Sequence, residues 1–333
     1  MLRDLLEPRE IGIIGLGHIG ASVAAALRGK ADVRGFDVSS ENLAYAADKV
    51  QVRIADSIAE IALSCEIIVL ATPTPSVDDI LSELDRTAYA AAVSPVVVDV
   101  ASVKSALAGP RSSHSAIRFV SLHPMAGREG NGPESYDPRI FEQARWAIPL
   151  AGNEDPAAVL TAMSLPVRLL GNPVVPLYLD QHDSVIALIS TLPHVTALAL
   201  TRALARSSHA KIAKWLAAGS YRDGTRVAKT DSDRLLEMLW PNRVELQVEL
   251  RRLVNDLELL SRRLLDMDGL RDWIVEGHGA AALLDVDHTD VESVAVKIAN
   301  IVPFLLEHGE YGAIVVGIRR LNQESVVVRL VHS

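Results

Sequence analysis

"EIGIIGLGHIGASVAAAL" (residues 10–27) decides how the first half of the chain is read. A β-branched apolar run leads into Gly15, Gly17 and Gly20, spaced G-x-G-x-x-G, and an alanine-rich helical stretch follows. Each glycine has a separate physical use. Gly15 permits a tight turn, Gly17 lets a pyrophosphate approach the backbone, and Gly20 lets helix and strand pack closely. The helix N-terminus then faces the phosphates. The spacing alone also occurs in ordinary tight turns, but the strand–turn–helix context selects a dinucleotide loop. Its six positions, Gly15, Leu16, Gly17, His18, Ile19 and Gly20, are therefore expected to line a cofactor. A second strand, "ADVRGFDVS", ends in Asp37, about 20 residues downstream, where a ribose-binding acid belongs. A carboxylate there bonds a ribose 2′-hydroxyl and repels a 2′-phosphate. The residues that follow, Val38, Ser39 and Ser40, include no arginine, so the pattern favours NAD over NADP.

The pattern continues through "EIIVLATP" (66–73), "VVVDVAS" (96–102) and "RFVSLHP" (118–124), apolar strands separated by helical stretches such as "SVDDILSELDRTA". Such alternation predicts a parallel, doubly wound sheet. Ligands of these sheets bind outside the carboxyl ends of the strands. Thr72 with Pro73, Ser102 and His123 each fall at such an end. His123 opens the glycine-bearing "HPMAGREG" and is expected to point its imidazole toward the nicotinamide. The bland alternative is a strand-end packing histidine.

Composition bounds the rest. The chain has 333 residues, 49% of them apolar, which suffices for two domains with an appended module. A net charge of −9 without a long basic run argues against nucleic acid and anionic membranes as partners. "MLRDLLEPRE" does not read as a signal peptide, and no apolar run is expected to reach membrane-spanning length. The single cysteine, Cys65, excludes an internal disulfide, fits a cytoplasmic location, and is read as packing. No tight metal-ligand spacing is seen among the histidines and acids.

From about Val175 the chain reads as mostly helical. In "LYLDQHDSVIALISTLPHVTALALTRALARS", Asp183, Ser190 and His194 share one face of a long apolar helix, which Pro193 should bend. Such a stripe is either a satisfied core network or the wall of a site. "GSYRDGTRVAKTDSD" reads as a loop, solvated or else holding an anionic substrate through Arg222, Arg226 and Lys229. "PNRVELQVELRRLVNDLELLSRRLLDMDG" reads as one helix running from Pro241 to Gly269, with a leucine stripe for core or subunit contact.

Together these motifs resemble the prephenate and arogenate dehydrogenases of tyrosine biosynthesis. "GLGHIGAS", "DVASVK", "HPMAG", "QHD" followed by "LPH", and "YRDGTRVA" occur in that family's order over about residues 11–269. The resemblance implies that His123 accepts the proton of the substrate's ring hydroxyl and that Ser102 hydrogen-bonds both that hydroxyl and His123. Arg226 would bind a substrate carboxylate, and His194 would line the substrate pocket. Many members carry a second histidine three residues before the latter; Thr191 stands there instead. Implied too are NAD as cofactor, prephenate or arogenate as substrate, tyrosine as feedback inhibitor and a homodimer formed through the helical domain. Asp180 and Asp183 flank "QH" and leave the choice between the two substrates open; prephenate is the expectation. A β-hydroxyacid dehydrogenase would need a lysine signature on the helical domain, which is not seen, and a non-catalytic NAD sensor would not need His123, Ser102 and Arg226 together.

The last sixty or so residues lie outside the resemblance. They read as strand, helix (residues 291–308) and two strands, "YGAIVVGIRR" and "SVVVRLV", similar to part of an ACT-type module. The expected architecture is thus α/β plus all-α. A Rossmann-type NAD-binding domain (1–172) precedes a helical substrate and dimerisation domain (173–278) and a small βαββ module (279–333).

Overall fold

The glycine loop leaves the middle of a six-stranded parallel sheet. In a computed structural model, which describes residues 5–107, 114–127, 132–282 and 290–332, β1 (Glu10–Ile14), β2 (Asp32–Phe36), β3 (Arg53–Ile54), β4 (Ile67–Leu70), β5 (Val96–Asp99) and β6 (Arg118–Ser121) lie in the order β3-β2-β1-β4-β5-β6. β4 and β5 are buried at every position, as a sheet covered on both faces requires. Strand order reverses between β1 and β4, which opens the crevice where such sheets take ligands. Cys65 is buried beside β4, and burial pushes its thiol up to about 11, so at neutral pH it is an inert packing group.

The segment carrying His123 does not stop at the end of β6. It passes into a second sheet as β7 (His123–Pro124), antiparallel to β8 (Trp146–Leu150). β8 runs parallel to β9 (Val174–Tyr178) across a buried helix, Pro156–Ser164. β9 is a strand in a stretch where the sequence suggested the start of the helical domain. Beyond it the sheet is completed by β10 (Val291–Lys297), β11 (Ile314–Arg320) and β12 (Ser325–Val331), in the order β10-β12-β11-β9-β8-β7.

The C-terminal expectation therefore changes in two ways. The helix is Ile301–Glu310, and residues 291–297 form a strand paired with β12. The βαββ segment is also not a module of its own. Its β11 pairs with β9 at Val315↔Val174, and its helix packs on β9 so closely that a Cβ on Gly309 would lie 2.3 Å from the Pro176 carbonyl oxygen. Accordingly residues 1–182 and 288–333 form one compact unit and residues 183–287 another. Buried residues of both sheets, among them Val98, Trp146, Val174, Val315 and Val328, belong to one core cluster of the first unit.

The second unit is helical, with several departures from expectation. Its first helix begins within the first unit: Leu179–Arg206 runs as one 28-residue helix, long and apolar enough by length and composition to cross a membrane, although only 28% of its most apolar window is buried. Its irregularity is a π-helical stretch at Ala187–Thr191, just ahead of Pro193. The ring removes one backbone donor there and the turn widens. The "YRDGTRVA" stretch is not a loop but two short helical pieces, Gly219–Gly224 and Arg226–Lys229. The single helix expected over 241–269 is two. Arg243–Arg263 ends, and Met267–Ala282 begins with Asp266 accepting the Gly269 N–H at 2.9 Å, a side-chain cap that starts a new helix inside the apolar pattern. Of the leucine stripe only Leu246 is buried; Leu257 and Leu264 are exposed.

Candidate active site

Geometry explains the glycines one by one. Gly15 takes φ +94°, where a Cβ would also strike the Ala71 carbonyl oxygen at 2.6 Å. A Cβ on Gly20 would lie 1.8 Å from the Gly15 carbonyl oxygen, so the helix could not approach the turn. A Cβ on Gly17 would meet nothing within 4 Å. That position faces open space and is free for a ligand. Helix His18–Ala26 starts at Gly17 without a side-chain cap and without an acidic residue in its first turn. Its leading N–H groups suit an anion.

The other loop side chains turn inward. Leu16 is fully buried, Ile19 packs against the core, and His18 Nδ1 lies 2.8 Å from the Ser135 carbonyl oxygen. What these three offer a cofactor is backbone, not side chain. Asp37 closes the loop from the neighbouring strand. Its carboxylate accepts from the Leu16 N–H at 2.7 Å, the Ser39 N–H at 2.8 Å and the Asn42 amide at 3.1 Å. A carboxylate has about four acceptor positions, so capacity for a ribose hydroxyl remains. Thr72, beyond β4 on the same edge, has a buried Oγ1 without a hydrogen-bond partner among the described residues, and Pro73 caps the following turn. An orphaned hydroxyl beside an open glycine backbone and a helix N-terminus fits a dinucleotide.

Gly15, Thr72, Ser102 and His123 all follow carboxyl ends of parallel strands, so they lie along one edge of the first sheet. β6 is three strands from β1, roughly 14 Å at the usual strand spacing. With a ribose at Asp37 on the β2 side, a dinucleotide would have its far half toward β5 and β6.

His123 is 8% exposed. Its Nδ1 lies 3.0 Å from Nε2 of His182, which is fully buried, with ring centroids 5.2 Å apart and planes at 57°. Ser102 is the residue that the family resemblance would bond to His123. In the structure Ser102 is exposed on the turn after β5, and the hydrogen bond described for His123 Nδ1 runs to His182. Beneath that turn is a buried charge network. Lys104, 1% exposed, donates to Asp99 and, at 2.8 Å, to the Leu122 carbonyl, while Ser121 donates to the other Asp99 oxygen. Asp99 and Lys104 stand within "DVASVK" and His182 within "QHD", and the sequence alone assigns these three no role. Asp99 and Lys104 are among the charged residues that close an apolar strand, where a lysine ordinarily reads as solvated.

Three expected substrate residues lie in the helical unit. Thr191 is buried and bonds back to the Ala187 carbonyl at 3.1 Å. His194 is half-buried with Nδ1 2.8 Å from the Ser190 carbonyl oxygen, and Arg226 is exposed at the start of its short helix.

The nucleotide-binding domain of prephenate dehydrogenases matches residues 23–166, and the dimerization domain of the same enzymes matches residues 179–276. The chain belongs to the prephenate dehydrogenase family. The first match begins just after the glycine loop, so the loop stands on its own geometry. β10–β12 lie beyond both matches. A cyclohexadienyl dehydrogenase of Zymomonas mobilis is 26% identical over 84% of this chain and 97% of its own length. A prephenate dehydrogenase of Lactococcus lactis is 32% identical over 67% of this chain, which spans 62% of that longer protein. Among solved structures, the arogenate dehydrogenase of Synechocystis superposes with a TM-score of 0.69 at 26% identity, over 83% of this chain and 99% of that one.

Asp37 carries a direct prediction. Asp37→Ser removes the charge that would bond the 2′-hydroxyl and repel a 2′-phosphate. The KM for NAD should rise roughly tenfold or more, as for a lost charged hydrogen bond, and the preference over NADP should shrink. Steady-state kinetics with both cofactors measure it. Unchanged NAD kinetics would remove Asp37 from the ribose site.

Proposed function

We propose that the chain catalyses the NAD-dependent oxidative decarboxylation of prephenate to 4-hydroxyphenylpyruvate. The observation that carries the reading is the buried His123, held through Nδ1 at the edge of the sheet that also bears the glycine loop, in a member of this family. When bound, NAD supplies the hydride acceptor. His123 accepts the proton of the ring hydroxyl. Nδ1 is committed to His182, which assigns that proton to Nε2. Ser102 hydrogen-bonds the same hydroxyl. The ring carboxylate leaves as carbon dioxide, and the electron pair of the broken C–C bond passes into the ring. The oxidised carbon's oxygen ends as a phenol hydroxyl after taking a proton. Aromatisation provides the driving force, so the residues need only position, accept and return a proton. From the helical unit, Arg226 is the residue proposed to bind a substrate carboxylate, with His194 and Thr191 as further substrate residues.

The active form in this proposal is a homodimer built on the helical unit. The matching family domain is described as a dimerization domain. The unit exposes Leu188, Ile189, Leu200, Trp215, Trp240 and Leu264, apolar side chains that a second copy would cover.

Arogenate is the second reading, favoured by the likeness to the Synechocystis enzyme. The two substrates differ only in a side-chain keto group or ammonium, so an acceptor near that group decides. Asp180 is exposed and Asp183 is buried, with its carbonyl accepting from Asn242 at 2.9 Å. NADH formation with each substrate in turn should give the higher kcat/KM for prephenate. A value for arogenate more than about tenfold higher, roughly 1.4 kcal/mol of transition-state preference, overturns the choice.

A further inference from the structure

We propose that His182 is a positioning residue for His123: a neutral hydrogen-bond acceptor that fixes the tautomer and ring orientation of the base. The inference deepens the functional reading and rests on it. His182 stands in the first turns of the helix Leu179–Ile186, is fully buried, and lies with Nε2 3.0 Å from His123 Nδ1. Two nitrogens at that distance share one proton, so one ring donates and the other accepts. A base working through Nε2 must carry its own proton on Nδ1. His123 Nδ1–H therefore donates to His182 Nε2, and His182 carries its proton on Nδ1.

This assignment has consequences along the proton path. When His123 takes the substrate proton at Nε2, its Nδ1–H remains donated to His182. The bond then becomes charge-assisted and roughly twice as strong. An imidazolium formed in a buried place is costly without such an acceptor. In serine hydrolases a carboxylate holds the catalytic histidine in its working tautomer. Here a neutral imidazole takes that place and adds no negative charge to the site. Packing alone gives His182 no reason to be polar. A fully buried imidazole is retained where both its nitrogens are satisfied, and one of them is satisfied by the residue proposed as base.

The test compares His182→Leu with His182→Gln in the full-length protein, with His123→Asn alongside. Glutamine places an amide oxygen near the former Nε2 and still accepts from His123; leucine fills the volume and accepts nothing. Leucine should lower kcat about 10²-fold, the scale of a misplaced catalytic group, while the KM for NAD stays near its original value. Glutamine should restore most of the loss. Equal loss in both variants, or normal kcat with leucine, overturns the positioning role. Near-normal turnover of His123→Asn would instead sink the functional reading itself. A measurement on the unaltered protein covers the case in which the His182 variants fail to fold. The ¹⁵N shifts of His123, assigned by their loss in His123→Asn, should report the Nδ1–H tautomer. An Nε2–H tautomer overturns the proposal.

Discussion

His123→Asn should cut turnover by about 10²–10⁴-fold, the usual cost of removing a positioned general base, while NAD still binds. Asparagine is the informative replacement. Its amide nitrogen can sit near the former Nδ1 and still donate to His182, so the buried contact at 3.0 Å has a substitute and the strand crossing is spared. What disappears is the nitrogen assigned to the substrate proton. The glycine loop and Asp37 belong to β1 and β2, well along the sheet from β6, so the NAD dissociation constant should hardly move. Fluorescence titration of NAD and initial rates of NADH formation give the two numbers independently. Near-normal turnover would reduce His123 to a packing residue. Loss of both turnover and NAD binding would mean that the variant had damaged the sheet crossing, which a thermal unfolding scan would register.

What the sequence makes legible follows the range of the forces involved. The dinucleotide half is readable because its constraints are local and steric. Only glycine tolerates φ +94° at position 15 or a carbonyl 1.8 Å from a Cβ at position 20, so composition alone marks the turn. The second sheet is poorly readable because its pairings are distant. β9 holds Pro176, a residue that argues against a strand, and its partner at Val315 lies well over a hundred residues away. In "VESVAVKIANIVPFLLEHG" only Asn300 and Pro303 mark the helix start inside a continuous apolar run, and the pairing of Val291–Lys297 with Ser325–Val331 is what sets the strand apart. The helix break near Asp266 was visible only as an acid inside an apolar pattern. At the candidate site, the strand-end positions of His123, Asp37 and Thr72 were legible from the sequence. His182 and Lys104 were not, because a polar residue early in a helix, or a lysine after a strand, is usually a solvated one. Their burial arises from chain segments that periodicity does not bring together.

Lys104→Met should destabilise the first unit by about 3–5 kcal/mol, the cost of leaving one member of a buried ion pair without its partner. Lys104 and Asp99 are each 1% exposed. The lysine donates to Asp99 and to the Leu122 carbonyl, and Asp99 also accepts from Ser121 and, at 3.1 Å, from the Ala101 N–H. Methionine matches the lysine stem in volume but not its charge, so the loss falls on a carboxylate sealed from water. The pair as a whole need not be a large net gain, because desolvating two ions costs nearly as much as their attraction returns. The single and double variants should therefore behave differently. Asp99→Asn combined with Lys104→Met removes both charges and should recover part of the stability lost by Lys104→Met alone, a coupling that a double-mutant cycle in urea would measure. A single-variant loss of about 1 kcal/mol or less, the size expected of an exposed pair, would show that Asp99 does not depend on the lysine. The network also has a place in the chemistry. The Leu122 carbonyl belongs to the peptide that leads directly into His123, and Lys104 ties that peptide to the end of β5, where Ser102 begins its turn. Loosening it should therefore lower turnover in the fraction that remains folded, with the drop appearing in kcat before it appears in the KM for NAD, since the glycine loop lies on a different strand.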